Sequence, residues 1–192
     1  ENLADENVNK WEGQYSRNAA QFSFQRDEDL VVSDFYMTLS SLIPWIAPDS
    51  KYYGKSDDEL YADLFARHLK PLPGIEARVD DFYLQHMAQR GWVAVHARGS
   101  DKVIESANLH KTNLLYFSFI DRIIELNPEI GVFLLTDAVD IHAEFSARYG
   151  ERLITTPALR SDSSTGVHMQ GHAGTTVGEE VLVDALLAAR CD

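Results

Sequence analysis

A dense set of polar side chains follows the short apolar run Trp92-Val93-Ala94-Val95. Arg98 presents a planar fork of N–H donors that suits a phosphate group bidentately. Lys102 adds a second positive charge, and Asp101 can accept from a ribose, a sugar hydroxyl or a neighbouring cation. Because the chain carries a net charge of -13, two cations placed together after a strand predict a local anion site. The alternative is a surface salt bridge among these three residues.

Two further carboxylates occupy informative positions. Asp137 directly follows the apolar run of residues 131–135, where it could accept a hydrogen bond from a ribose or a base edge, or cap a helix that begins near Ala138. Asp184 lies at the margin of an apolar helix face, so its charge requires a partner. That partner is either a salt bridge or a backbone amide, or a site residue such as Arg98 that Asp184 would orient.

Metal chemistry is not favoured by the residue pattern. His168 and His172 are four residues apart, as in helical metal-binding pairs, but they lie in a glycine-rich loop without a carboxylate at ligand spacing. A histidine that orients a phosphate or a hydroxyl is the preferred interpretation. No acidic pair follows a strand, and the fingerprints of P-loop nucleotidases, common dehydrogenases and α/β-hydrolases are missing from the sequence. We therefore expect no metal and no cofactor.

The elements that must position these residues alternate between strand and helix. Apolar runs predict strands near 92–97, 131–136 and 152–155. Helical periodicity predicts helices over about 108–126 and 139–149, and a third from a capping box at Thr176 and Glu179 to about Arg190. The apolar face of this last helix is predicted to be Val177, Val181, Leu182, Ala185, Leu186 and Ala189. The alternation predicts an α/β fold with a parallel sheet over residues 91–192, with ligands beyond the carboxyl ends of its strands.

The first part of the chain predicts a different organisation. Residues 1–90 read as a mainly helical segment without a recognisable functional motif. A capping box at Ser56 and Glu59 predicts one helix, and a second is expected over residues 74–90. The sequence thus predicts two domains, 1–90 and 91–192.

Composition limits the partners and the compartment. An acidic chain is not expected to follow a nucleic-acid backbone or an anionic membrane, and no apolar run reaches the length of a membrane span. Cys191 is the single cysteine, and the N-terminus does not resemble a signal peptide. These features favour a cytoplasmic bacterial protein and leave a secretory-pathway lumen open.

Four segments together resemble the fucosyltransferase superfamily: the α1,6-fucosyltransferases, the nodulation fucosyltransferases and, more distantly, the protein O-fucosyltransferases. The first is similar to a His-x-Arg-x-x-Asp-Lys motif, the second to a strand ending in Thr-Asp, the third to Ser-x-x-Gly-x-His and the fourth to a helix with a central Asp. All four occur in the family's order. They are residues 93–102, 133–137, 163–168 and 180–187.

The resemblance implies a GT-B glycosyltransferase whose C-terminal, Rossmann-like domain binds GDP-fucose without metal and transfers the sugar to a glycan acceptor with inversion. Residues 91–192 would be that domain. Arg98 would hold the pyrophosphate as the glycosidic bond breaks, and Asp184 would hold the guanosine or the framework of the site. The implied donor-binding set is His96, Asp101, Lys102, Asp137, Ser164, His168 and Asp184.

The sequence departs from the family pattern at three places. Ala138 stands where α1,6-fucosyltransferases have a second Asp. Ser106 occupies the position of their proposed catalytic base, and Glu105, one residue earlier, is our candidate for that role. The family also continues into a strand and a serine-rich loop, so we expect the donor domain to be truncated here.

These departures leave two alternatives. One is a non-catalytic or degenerate nucleotide-sugar-binding domain. The other is a phosphohydrolase that uses His96, Arg98 and Asp101, although the sequence places no convincing nucleophile for it.

Overall fold

The computed structural model describes residues 39–102, 106 and 108–192. The chain divides into two compact units, residues 1–70 and 71–192. The second unit begins N-terminal to the predicted domain boundary and includes the helix expected over residues 74–90. None of the described helices is long and apolar enough to cross a membrane.

The described part of the first unit is helical. Two short 3₁₀ turns, Leu39–Ser41 and Ile43–Trp45, precede helix α1, Asp57–His68. The backbone N–H of Glu59 donates to the Ser56 hydroxyl at 3.3 Å, and the Ser56 backbone N–H donates to the Glu59 carboxylate at 2.8 Å. This reciprocal pair satisfies two N–H groups at the helix start and confirms the predicted capping box.

The second unit opens with helix α2, Pro73–Phe82, which continues as a π-helical turn over Tyr83–Met87. Proline suits the first turn of a helix because an N–H there has no helical partner. The prediction had extended this helix to Arg90. It ends earlier, where the fully buried Met87 directs its carbonyl to the indole N–H of Trp92 at 2.8 Å.

Three parallel strands form one sheet in the order β1-β2-β3. They are β1, Trp92–His96; β2, Gly131–Leu135; and β3, Leu153–Ile154. In register, Trp92 pairs with Gly131, and Val132 pairs with Leu153. Helix α3, Leu109–Leu126, links the first two strands, and helix α4, Val139–Tyr149, links the last two. The predicted α/β fold with a parallel sheet is confirmed.

Helices cover both faces of the sheet, because side chains of a strand point alternately to opposite sides. On one face Val132 and Leu134 pack with Ile120 of α3 and Phe145 of α4. On the other, Phe133 packs with a second set of buried residues from α2 and helix α5, Gly174–Ala188. That set includes Ile75, Val79, Val183 and Leu187. Burial on both faces explains why β2 is a continuous apolar run.

Helix α5 differs from its prediction in two respects. It begins at Gly174, before Thr176, and no side chain caps it, so the predicted capping box is wrong. Glu179 instead forms an ion pair with Arg78 at 3.0 Å. The predicted apolar face is right only in part: Leu182 and Leu186 pack against the core, but Val181 is 64% exposed, and the buried Val183 and Leu187 were not predicted. Two separate faces of α5 are apolar, and periodicity alone could not tell which one packs in the core.

Candidate functional site

A cleft of about 270 Å³ opens beyond the carboxyl ends of β1 and β2, against helix α5. It is where a parallel sheet is expected to bind ligands. Its walls combine polar groups with the exposed apolar face of α5, which contributes Val177, Val181 and Ala185. Five of the residues selected from the sequence line it: His96, Arg98, Asp137, His168 and Asp184.

The guanidinium group of Arg98 lies between two carboxylates. Its Nη2 is 3.6 Å from Oδ1 of Asp101, its Nε is 3.5 Å from Oδ2 of Asp137, and its side chain is 38% exposed. Both separations are longer than a good hydrogen bond. The Nε atom is buried and has no hydrogen-bond partner among the described residues. The predicted ion pair with Asp101 therefore exists, but it leaves donor capacity on Arg98.

Asp137 organises the loop after β1. Its Oδ1 accepts from the backbone N–H of Gly99 at 2.9 Å, and its Oδ2 accepts from the Ser100 hydroxyl at 2.6 Å. Ala138, without a capping side chain, precedes α4, so the helix-cap interpretation of Asp137 is wrong. The Asp137 carboxylate borders the cleft, and both of its oxygens already accept hydrogen bonds from the loop that carries Arg98.

This loop is tightly packed. A Cβ atom on Gly99 would come within 2.5 Å of the Ala138 side chain and 2.9 Å of Ile141, closer than such atoms approach. Ser100 is buried and has φ +42°, a conformation that residues other than glycine seldom adopt. The turn closes through a hydrogen bond from the Lys102 N–H to the Gly99 carbonyl at 3.1 Å. The Gly99 position therefore requires glycine.

Charges around this loop act on Asp101 and His96. Burial would raise the pKa of Asp101, but the hydrogen bond from Ser100 and the positive charges of Lys102 and Arg98 outweigh it and lower that pKa. His96 is an exposed residue at the end of β1, and partial desolvation of its ring and the charge of Arg98 lower its pKa, against the opposing effect of Asp137. Near neutral pH, His96 is therefore an uncharged imidazole beside a cationic guanidinium.

Asp184 lies at the other end of the cleft, on α5. Its Oδ1 accepts from the hydroxyl of Thr156 at 2.5 Å, so its partner is Thr156 rather than a backbone amide or Arg98. Burial raises the pKa of Asp184, while the Thr156 hydrogen bond and the charge of Arg160 oppose that shift. The suggestion that Asp184 orients Arg98 finds no contact in its favour among the described residues.

The loop after β3 is fixed by Ser161. Its buried hydroxyl donates to the Thr165 carbonyl at 2.7 Å and accepts from the Gln170 side-chain amide at 2.7 Å. Its backbone N–H donates to the Asp137 carbonyl at 2.7 Å. These bonds tie the loop to the end of β2 and hold its continuation, with His168, at the cleft.

His168 and His172 do not lie on one helix face. A 3₁₀ turn covers only Val167–Met169, and Gly171 has φ +78°, so the four-residue spacing lacks the helix that would align both imidazoles. Within residues 39–102, 106 and 108–192, no group of three or more His, Cys, Asp or Glu residues is placed to hold a metal ion.

The other selected residues lie outside this cleft. Ser164 lines a second cleft of about 380 Å³, which borders Gly99 and lies against α3 and α4. Asp101 and Lys102 are absent from the walls of both clefts. Lys102 nevertheless lies close enough to lower the pKa of Asp101. Glu105 lies outside the described residues.

Two residues that were not selected from the sequence, Asn113 and Arg160, donate hydrogen bonds to backbone carbonyls next to the site. Asn113 donates to the Arg98 carbonyl at 2.7 Å, and Arg160 donates to the Thr156 carbonyl at 3.0 Å. Asn113 carried a signal that could have been used: it is a polar residue on the face of α3 that also presents Tyr116 and Ile120 to the core. Arg160 and Thr156 lie in a loop where periodicity gives no such signal.

Comparisons by sequence and by structure both find similarity to nodulation protein Z, or NodZ. The chain is 23% identical over 175 residues to nodulation protein Z of Bradyrhizobium diazoefficiens, an alignment that covers 87% of the chain. No protein-family model matches it.

Solved structures give the same relative. A crystal structure of NodZ α-1,6-fucosyltransferase co-crystallised with GDP superposes with a TM-score of 0.58 at 23% identity, over 91% of the chain. A crystal structure of the same enzyme soaked with GDP-fucose gives a TM-score of 0.57 at 22% identity.

The chain spans 47% of nodulation protein Z and 50% of the NodZ crystal-structure chains. Its fold is that of the matched part of NodZ, and the same protein is found independently by sequence. Together, the sequence and the fold support placing this chain in a fucosyltransferase-like superfamily.

Proposed function

We propose that this chain is the donor-binding part of a glycosyltransferase that transfers fucose from GDP-fucose to a glycan acceptor. The observation that carries the proposal is the cleft at the carboxyl end of the sheet, which has the Arg98 guanidinium at one end and an apolar wall with Asp184 at the other. Relatives solved with GDP and with GDP-fucose support this choice of ligand.

The two ends of the cleft suit the two halves of a nucleotide. Val177, Val181 and Ala185 form an apolar wall against which a flat base can lie. The carboxylate of Asp184 accepts hydrogen bonds, and the Watson–Crick edge of guanine offers N–H donors. At the opposite end, the guanidinium of Arg98 retains donors for a pyrophosphate.

The reaction would proceed with inversion. The bond between the sugar's anomeric carbon and the β-phosphate oxygen breaks, and the acceptor hydroxyl oxygen bonds to that carbon from the opposite face. GDP departs with the bonding electron pair, and a base receives the hydroxyl proton. Arg98 would stabilise the charge that develops on the pyrophosphate, a role that metal ions fill in other enzymes. Glu105 remains our candidate for the base.

Turnover of GDP-fucose by the full-length protein tests the proposal. We expect release of GDP that depends on the presence of an acceptor from a panel of free oligosaccharides, and that persists in a chelator. Binding of GDP-fucose without release would identify a non-catalytic domain. Cleavage within the pyrophosphate, without acceptor, would identify a phosphohydrolase. Complete loss of turnover in chelator, restored by Mn²⁺ or Mg²⁺, would contradict the metal-independent mechanism.

A further inference from the structure

The peptide unit between Arg98 and Gly99 is held at both of its polar atoms. The side-chain amide of Asn113 donates to the Arg98 carbonyl at 2.7 Å, and Oδ1 of Asp137 accepts from the Gly99 N–H at 2.9 Å. Because a peptide unit is planar and rigid, two hydrogen bonds at its opposite ends fix the orientation of the whole plane. We call Asn113 and Asp137 the peptide clamp.

The backbone at this point needs such support. Ser100, the next residue, is buried and has φ +42°, in the left-handed region that residues other than glycine rarely adopt. Its hydroxyl donates to Asp137 at 2.6 Å, so one partner of the clamp also holds this turn. Strained conformations of this kind persist where the surroundings over-determine them.

The clamp acts directly on Arg98. The clamped carbonyl carbon is bonded to the Cα atom of Arg98, so the two hydrogen bonds restrict the backbone torsion ψ of Arg98 and, with it, the course of the chain from which the side chain extends. The guanidinium's own contacts with Asp101 and Asp137, at 3.6 and 3.5 Å, are too long to anchor it firmly. The direction of the side chain therefore depends on the backbone that carries it.

The hydrogen bond to the Arg98 carbonyl, rather than packing, explains why an asparagine stands at position 113. It lies in the second turn of α3, Leu109–Leu126, and is half-buried. Asparagine is a weaker helix former than Ala, Leu or Lys, so a half-buried Asn on the inner face is best explained by its amide. A carboxylate at this position would place an acceptor against the carbonyl oxygen.

We propose that Asn113 is a positioning residue, which acts through the Arg98–Gly99 peptide to aim Arg98 at the phosphates of the ligand. The inference rests on the proposed function, in which Arg98 binds a nucleoside diphosphate. It adds a residue from outside the donor cleft, on a helix that the selected site residues do not include.

The test is a double-mutant cycle in the full-length protein, with GDP affinity measured by calorimetry. Asn113→Asp, which has nearly the same shape and no donor, is expected to weaken GDP binding about tenfold. Thr112→Asp places the same new charge one residue earlier on an exposed part of α3 and should bind as the parent does. When Arg98 is already Ala, adding Asn113→Asp should cause no further loss, because its effect passes through Arg98.

Two results would overturn the clamp alone: parent-like GDP affinity in Asn113→Asp, or a full additional tenfold loss in the Arg98→Ala background. Parent-like affinity in Arg98→Ala would instead overturn the proposed function of the cleft. If Asn113→Asp does not fold, Asn113→Ala removes the donor without adding charge. It should also weaken GDP binding in the parent and cause no further loss when Arg98 is already Ala.

Discussion

The two ends of the cleft are built on different physical principles. At one end, Arg98 is 38% exposed and lies between Asp101 and Asp137, in a setting dominated by charge. At the other end, Asp184 lies beside the apolar face of α5 and is held by the Thr156 hydroxyl, where burial raises its pKa. In the proposed function, the pyrophosphate of the ligand would lie at the Arg98 end and its base at the Asp184 end.

Removal of Arg98 should have the largest effect. Loss of a donor aimed at charge that develops in the transition state lowers kcat more than it lowers affinity for GDP-fucose, and affinity for GDP, which already carries that charge, should fall as well. Arg98→Ala should lower kcat by roughly a hundred- to a thousandfold, or about 2.7–4 kcal/mol. Arg98→Lys keeps the charge, loses the planar fork and should also be badly impaired. Steady-state kinetics of GDP-fucose turnover measures both.

Arg122→Ala is the matched control, because Arg122 forms an exposed ion pair with Glu125 at the same i,i+3 spacing that separates Arg98 from Asp101. It should leave turnover unchanged. If the Arg98 variants also turn over GDP-fucose near the parent rate, and thermal melts change only slightly, Arg98 is a structural residue.

Changing Asp184 should alter base selectivity rather than phosphate binding. Asp184→Asn retains the shape and removes the full negative charge that faces the N–H groups of guanine. We expect GDP affinity to fall by about 1–3 kcal/mol, with little change for UDP. Competition binding of GDP and UDP to the full-length protein measures the ratio. A parent protein that binds both nucleotides equally would refute the guanine assignment.

Acidification should affect the two ends in opposite directions, and this effect is the smallest. The pKa of His96 is lowered by partial desolvation and by Arg98, so below about pH 6.5 the unfolded state binds its proton more readily, and stability falls. Because His96 is exposed, solvent screening keeps this effect small. The pKa of Asp184 is raised, so the folded state takes up its proton more readily, and that contribution to stability increases as the pH falls.

Thermal melts from about pH 7.5 to about pH 3.5, a range that includes the reference pKa values of histidine and aspartate, separate these contributions. His96→Asn should flatten the loss of stability on acidification, and Asp184→Asn should steepen it. Identical pH dependence in the parent and both variants would show that neither group changes its protonation between the folded and unfolded states in this range.

Much of the sheet could be predicted because its signals are local. The run Gly131–Leu135 is apolar and bounded by polar residues, and it is the strand β2. The sequence also predicted a site after β1, because Arg98 and Asp101 follow that strand closely. The structure places Arg98, Asp137 and His168 in the walls of one cleft at the carboxyl ends of the strands, and their role there stays a prediction.

The supporting contacts were not predictable, because they depend on distant pairings. Asp137 was expected to cap a helix or to contact a ligand, and it accepts from the Gly99 N–H, 38 residues earlier. Asp184 was expected to be held by a salt bridge or a backbone amide, or to orient Arg98, and its hydrogen bond comes from Thr156. The face of α5 was misassigned in part because Val181 lines the cleft, and a cleft wall has the same apolar pattern as a core.

A comparison of GDP with GMP tests the central claim most directly. Calorimetry with the full-length parent should show that the second phosphate strengthens binding, whereas in Arg98→Ala the affinities for GDP and GMP should become nearly equal. Such a result would place the pyrophosphate at Arg98. If Arg98→Ala keeps the parent's preference for GDP over GMP, Arg98 does not bind the pyrophosphate, and the proposed function of this cleft is wrong.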